Sequence, residues 1–345
     1  MRTGLRHILP FLLAAAFTGC GLVDEDLSVC VKDCTLDYEL RLATSLAAEL
    51  DSELYLPQDQ PVREALDGYF RKVFTDYAQD VDLSFYAAKL DDPDSLRLYH
   101  ETWVMNAARA SYPLRLRIRK YQHLAVANVA ENGIVRLDAD EKCHASRLVQ
   151  PDRDTLDCQQ TGLFTARLPM EVVEAESQHF EVKLYMANSA TALVVDTVGS
   201  HVRELQAYAT GFAAEFHLCD SSYSFRSYPK RDPVIRTRRV EAPTSTNLCF
   251  ATVNFPSHPA AEAKAEIGTD DPEGAACWQY HLYTLMPDGT VTRSVLSIFE
   301  PLEAGALIII RAKVLENGAV QPDDPSVSVS IELEWGSGWD ITTDL

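Results

Sequence analysis

The stretch Val327-Ser328-Val329-Ser330-Ile331-Glu332-Leu333-Glu334-Trp335 alternates apolar and polar residues without a break. In an extended chain the valines, Ile331, Leu333 and Trp335 fall on one side and the serines and glutamates on the other, as a strand with one buried face requires. A helix would scatter the same residues around its circumference. Strand-like runs recur upstream, in Phe180 to Met186, Ala192 to Asp196, Leu205 to Thr210, Leu248 to Phe255, Trp278 to Met286, Val291 to Phe299 and Leu307 to Leu315. Pro287-Asp288-Gly289 and Asn317-Gly318 punctuate these runs with residues that take tight turns.

The first half of the chain carries the pattern too. Leu36, Tyr38, Leu40 and Leu42 share one side of a strand, and Val81 to Phe85 alternates. Leu114 to Arg119 places Arg115, Arg117 and Arg119 on its outward side. His123 to Val129 is more uniformly apolar and predicts burial on both faces. Asn132-Gly133 suits a hairpin turn into Ile134 to Leu137. One helix interrupts the strands: Pro61 opens it, and Val62, Leu66, Tyr69, Phe70, Val73, Phe74 and Tyr77 form an apolar stripe at helical spacing. Such a stripe is expected to pack on a sheet as core. Short strands with regular turn signals predict a mainly β protein. Its length fits two β-sandwich domains in tandem, with the helix an embellishment of the first. The acidic, polar region 138–165 reads as a long loop near the boundary, giving domains over 35–165 and 166–345.

The N-terminus has its own logic. Arg2 and Arg6 precede the apolar run Ile8 to Phe17, which is too short to span a bilayer as a helix and ends at Thr18-Gly19-Cys20. This is the pattern of a bacterial lipoprotein signal peptide over residues 1–19. Cleavage would leave Cys20 to carry a diacylglycerol on its sulfur and an amide-linked acyl chain such as palmitate. Several chains hold far more firmly than one. Residues 20–34 read as a lipidated tether, and Asp24-Glu25-Asp26 resembles the acidic signal that sends lipoproteins of Bacteroides-type bacteria to the cell surface.

Composition excludes several classes. Asp and Glu number 51 against 31 Lys and Arg, a net charge of −20, so nucleic acid and anionic lipid headgroups are not expected as broad partners. The sequence has no dinucleotide or phosphate loop, no nucleophile elbow and no H-E-x-x-H. His123 and His281 lie inside apolar strands and read as structural. Asp91-Asp92-Pro93-Asp94 and Asp270-Asp271-Pro272-Glu273 lack EF-hand spacing and read as solvated turns. Neither enzymatic activity, a cofactor nor a metal is expected.

Eight cysteines occur, at 20, 30, 34, 143, 158, 219, 249 and 277. In an exported chain, with Cys20 lipidated, a few disulfides and one leftover thiol are expected. By proximity in sequence the pairs are Cys30 with Cys34 and Cys143 with Cys158, with Cys219 and Cys249 as a third, although spacing alone does not fix connectivity. A local basic segment holds Arg226, Lys230, Arg231, Arg236, Arg238 and Arg239. It reads either as a contact for an acidic partner or lipid phosphate, or as a polar loop followed by an edge strand whose charges discourage pairing.

Several pieces together resemble the FimB-type fimbrial anchor subunits of Bacteroides and Porphyromonas relatives. They are the cysteine at 20, Asp26 to Cys30, Cys34 to Leu40, Asp82-Leu83-Ser84-Phe85-Tyr86 and the terminal Val327 to Trp335 strand. The resemblance implies two transthyretin-like β-sandwiches in a lipoprotein anchored at the outer membrane and exposed on the cell surface. Its implied role is to hold a fimbrial shaft subunit by β-strand addition and to help assemble or terminate the fimbria. Lys32 and Arg41 are basic positions where a shaft subunit could be cleaved, so a shaft or tip role stays open. Tandem sandwiches also serve surface glycan binding, which would need exposed aromatic platforms. Trp103, Trp278, Trp335 and Trp339 are the tryptophans available, and Trp278 and Trp335 are expected in the core.

Overall fold

A computed structural model describes residues 33–43, 46–75, 77–89, 92–105, 111–174, 178–197, 201–227, 230–243, 245–260 and 276–334. The expected signal peptide, Cys20, Cys30, Lys32, Trp335, Trp339 and most of the expected tether lie outside the described residues. The first strand, β1 (Asp33–Ala43), buries Leu36 and Tyr38 as its alternation requires. Two helices follow, α1 (Leu46–Glu53) and α2 (Gln60–Val73). The first was not legible, because eight residues hold barely two turns of periodicity. In α2, Pro61 sits in the first turn, where its missing N–H costs nothing, and Val62, Leu66, Phe70 and Val73 are buried. The helix is shorter than its apolar stripe: the Phe74 amide bonds back to the Phe70 carbonyl and the backbone then leaves helical geometry. Tyr77 lies beyond the helix and is 54% exposed.

Four strands continue the chain: β2 (Asp80–Lys89), β3 (Asp92–Met105), β4 (Ser111–Arg117) and β5 (Arg119–Ala127). Tyr121, His123, Ala125 and Ala127 of β5 face one side and Leu124 and Val126 the other, and all are buried. Asn132-Gly133 does not make the expected hairpin. Asn132 ends the short helix α3 (Val129–Asn132), and Gly133, at φ +73°, caps it. Beyond it, β6 (Arg136–Asp138) pairs with β7 (Arg147–Val149), while β8 (Thr155–Asp157) crosses to the second half of the molecule. The region expected as one long loop is thus a structured connector.

The strands β9 (Phe164–Val172) and β10 (Gln178–Met186) move the expected domain boundary. β9 pairs with β5 along its full length, and β10 runs parallel to β1. Both complete a seven-stranded sheet ordered β3-β2-β5-β9-β10-β1-β4, so the first unit extends to Met186 rather than ending at residue 165. Local alternation locates such strands but says nothing about which sheet claims them.

The second unit contains β11 (Ser189–Asp196), β12 (Glu204–Thr210), β13 (Glu215–His217), β14 (Ser222–Ser224), β15 (Val234–Arg236), β16 (Arg238–Val240), β17 (Leu248–Asn254), β18 (Trp278–Leu285), β19 (Val291–Ile298), β20 (Leu307–Val314), β21 (Val320–Pro322) and β22 (Ser328–Glu334). Both read turns hold: β18 turns into β19 at Gly289 and β20 into β21 at Gly318, each with positive φ. A five-stranded sheet, β16-β17-β11-β20-β21, faces a six-stranded one, β22-β19-β18-β12-β15-β8. Leu193, Val195, Leu205, Ala209, Trp278, Tyr280, Leu282 and Leu296 fill the core between them.

A four-stranded sheet, β14-β13-β7-β6, covers part of the outer face of the first sheet, over Tyr86, Leu124 and Val126. The inner face packs on the helices. Their other side meets Ala192, Val194, Cys249, Ala251 and Val253 of the five-stranded sheet. The protein is therefore mainly β, with two sandwiched β units in tandem. The amphipathic helix belongs to the first unit, as expected, and its core also takes in residues of the second unit's five-stranded sheet.

Candidate docking edge

A sheet edge exposes unpaired backbone N–H and C=O groups, and proteins block such edges unless they are used. The edge strand β4 carries Pro113, Arg115 and Arg117, all exposed. Proline removes a donor, and the arginines resist pairing. At the opposite edge, β3 is irregular, with two register shifts against β2, and the Leu98 amide bonds to the Glu141 carbonyl. The edge strands β16, β8, β6 and β14 are three residues each, and so is β21, which ends in Pro322.

The strand β22 differs from all of these. It pairs with β19 in unbroken register from Ser297–Ser328 to Val291–Glu334, and among the described residues no strand lies on its other side. Its seven residues include no Pro, Lys or Arg. Val329 and Ile331 stand opposite Leu296 and Ser294, so they share the inner face of the sandwich. Leu296 and Ser294 are fully buried, yet Val329 is 37% and Ile331 44% exposed. The turn between β20 and β21 bonds to β19, the strand that pairs with β22. The Thr292 hydroxyl donates to the Asn317 carbonyl at 2.8 Å, and the Val320 amide donates to the Ser294 hydroxyl at 2.9 Å. Among the described residues β22 is thus an unpaired edge strand that carries partly exposed apolar side chains.

The basic segment is largely neutralised at home. The Arg226 guanidinium donates to the carbonyls of Pro151 and Arg153, each at 2.9 Å. Lys230 pairs with Asp152, Arg236 with Asp157 at 2.9 Å and Arg239 with Glu241 at 3.0 Å. Arg231 and Arg238 make no ion pair among the described residues. Arg238 and Arg239 sit on the edge strand β16, which fits the edge-guarding reading of the segment. A shallow cleft of about 360 Å³ beside it is lined by Gly133, Pro151, Arg153, Thr155, Asp157 and Arg236.

Cys30 of the expected Cys30–Cys34 pair lies outside the described residues, and the other two expected pairs are not neighbours. Cys143 lies beside Cys219, with 2.8 Å between their sulfurs. Cys158 instead stands 3.9 Å from the Tyr69 hydroxyl, and Cys249 is buried in the core that faces the helices. Cys34 directs its thiol at the Val173 carbonyl, 3.7 Å away. Among the described residues no group of His, Cys, Asp and Glu could hold a metal ion. Trp278 is buried, whereas Trp103 on β3 is 54% exposed. His123 and His281 are both buried within sheets, as a structural role requires.

No family model and no curated protein sequence matches the chain. Among solved structures it is similar to the fimbrial anchor protein Mfa2 of Porphyromonas gingivalis, at 10% identity and a TM-score of 0.45, over 87% of this chain and 99% of that one. The tip fimbrial protein Mfa3 of the same organism is similar at 10% identity and a TM-score of 0.43, over 88% and 99%. A protein of Bacteroides thetaiotaomicron proposed to be an adhesin is similar at 7% identity and a TM-score of 0.49, over 85% and 97%.

Proposed function

We propose that this chain is a cell-surface, fimbria-associated adhesion protein, lipid-anchored through Cys20, that holds an extended segment of a fimbrial shaft subunit along β22. The observation that carries the reading is the unguarded seven-residue edge with Val329 and Ile331 uncovered beneath it. Such an edge offers roughly 6–8 outward N–H and C=O groups, since alternate residues point theirs away from the paired neighbour. At a net ~1 kcal/mol per hydrogen bond, the ladder alone barely exceeds the cost of association. Apolar contact with Val329 and Ile331 must therefore supply much of the affinity and the register. No catalytic group is needed for this work, and a lipid at the other end of the chain would fix the assembly to the membrane.

The test is co-purification from fimbriated cells with the variants Val329→Lys and Ile331→Lys. Both sites are exposed, so the substitutions should leave stability within about 0.5 kcal/mol of the parent. Capture of the shaft subunit should fall more than tenfold, and Cys20→Ser should release protein and subunit together into the medium. Undiminished capture by the lysine variants would sink the assignment of β22. A second reading, glycan binding, rests on the exposed ring of Trp103, and loss of binding to a polysaccharide array on Trp103→Ala would favour it.

A further inference from the structure

We propose that Cys143 and Cys219 are joined as a disulfide in the exported protein, a cross-link that the spacing of the cysteines does not suggest. The two come from segments 76 residues apart and are brought together by strand pairing. The strands β7 and β13 run antiparallel with Arg147 opposite His217. One step beyond, the Leu218 amide donates to the Ser146 carbonyl at 3.1 Å, so the two chains stay side by side past the end of the ladder. Cys143, in the turn that precedes β7, and Cys219, just after β13, therefore meet at the rim of the small sheet. Their sulfurs are only about 0.75 Å farther apart than the ~2.05 Å of a disulfide bond.

The other described cysteines are engaged elsewhere. Cys277 directs its thiol at the Phe299 carbonyl at 3.2 Å, and Cys34, Cys158 and Cys249 lie in the separate surroundings given above. Within the pair the roles differ. Cys143 is 1% exposed and packs with Leu148, Leu163 and Phe216, and burial pushes its thiol well above the ordinary range. Cys219 is partly exposed, and its carbonyl accepts from the Arg167 guanidinium at 2.6 Å.

The natural order of events follows from access. The Cys219 thiolate attacks the disulfide of a thiol–disulfide carrier protein, releasing one carrier thiolate and leaving a mixed disulfide. The Cys143 thiol then loses its proton and attacks the Cys219 sulfur, releasing the second carrier sulfur. The two cysteines are oxidised and the carrier disulfide is reduced to a dithiol. The product closes a long loop that contains β7 to β13, which removes freedom chiefly from the unfolded chain. The small sheet, which has strands of only three residues, gains the most from this. The cross-link is independent of the docking edge, because it lies on a different sheet.

The experiment is peptide mapping of the full-length protein taken from the cell surface. The protein is denatured in the presence of N-ethylmaleimide, so that buried thiols are blocked as they become accessible, and digestion is carried out without reductant. The expected result is a linked peptide pair containing Cys143 and Cys219, lighter than the two thiol peptides by two hydrogens. Recovery of both cysteines as maleimide adducts, or of Cys143 linked to Cys158, would overturn the proposal. As a second measurement, reductant should lower Tm of the parent by several degrees, to the value of Cys219→Ala, and leave that variant unmoved. A parent indifferent to reductant would also overturn it.

Discussion

Arg311 reaches from β20 to grip Asp59 with both arms of its guanidinium, Nη1 to Oδ1 at 3.0 Å and Nη2 to Oδ2 at 2.6 Å. The partners are 252 positions apart in sequence, and Nη2 also donates to the Glu53 carbonyl at 3.2 Å. Asp59 immediately precedes α2 and is 3% exposed, and its carboxylate bonds to Arg311 rather than capping the helix. The contact ties the helical layer of the first unit to the five-stranded sheet of the second. Paired charges in this two-point geometry are among the stronger polar contacts a protein makes.

Removing one partner should therefore cost more than removing both. Arg311→Ala leaves a buried carboxylate without its counter-charge and should lose about 2–3 kcal/mol, less than a fully buried pair because the arginine is one-third exposed. Adding Asp59→Asn should recover part of that loss. A double-mutant cycle by urea unfolding measures the coupling, and strict additivity would show that the pair contributes nothing of its own.

The fold should also be acid-labile through its histidines. His123 is fully buried, stacked on Phe85 at 4.2 Å, with Nδ1 3.0 Å from the Ser84 carbonyl and Nε2 2.5 Å from the Tyr38 hydroxyl. A carbonyl only accepts, so Nδ1 carries the proton and Nε2 accepts from Tyr38. Burial pushes this imidazole down to about 4, and burial together with the charge of Arg293 does the same to His281. With the folded value below the ordinary 6.5, protons favour the unfolded chain. Stability is complete above pH 6.5 and should fall as the pH drops towards 4, by about 3 kcal/mol for His123. His123→Gln should flatten that slope in urea midpoints, and an unchanged slope would place the acid sensitivity elsewhere.

Asp82 works in the opposite direction. Burial first, then the carboxylates of Asp80 and Glu101, push it up to about 6. A carboxyl raised in the folded state contributes stability only while protonated, so its contribution is lost between the ordinary value near 4 and about 6. Asp82→Asn should then stabilise the protein at pH 7 by about 1 kcal/mol, after allowing for solvent screening of a half-buried group. The gain should vanish at pH 4, and a gain of equal size at both values would point to a cause other than charge.

Alternation is a property of neighbouring residues, and for that reason it was legible. Ser328 to Glu334 and Leu36 to Leu42 read correctly as strands, though Val329 and Ile331 are not buried as expected, and the turns at Gly289 and Gly318 hold because the left-handed turn is decided within a few residues. The buried, structural character of His123 and His281 was legible for the same reason: their apolar neighbours announce it. The boundary at 165 and the hairpin at Asn132-Gly133 failed, because both depend on which distant strand supplies the partner.

By itself the sequence determined a mainly β chain with an amphipathic helix, and it held the edge strand β22 in view. Only the tertiary structure decided which edge stays open, which cysteines meet and which charges are neutralised. Backbone pairing energy is nearly the same for any two strands, so local pattern cannot choose among partners; packing of whole faces does. That choice sets β1 beside β10, Cys143 beside Cys219 and Arg311 on Asp59. It also leaves Val329 and Ile331 partly exposed on the edge strand β22.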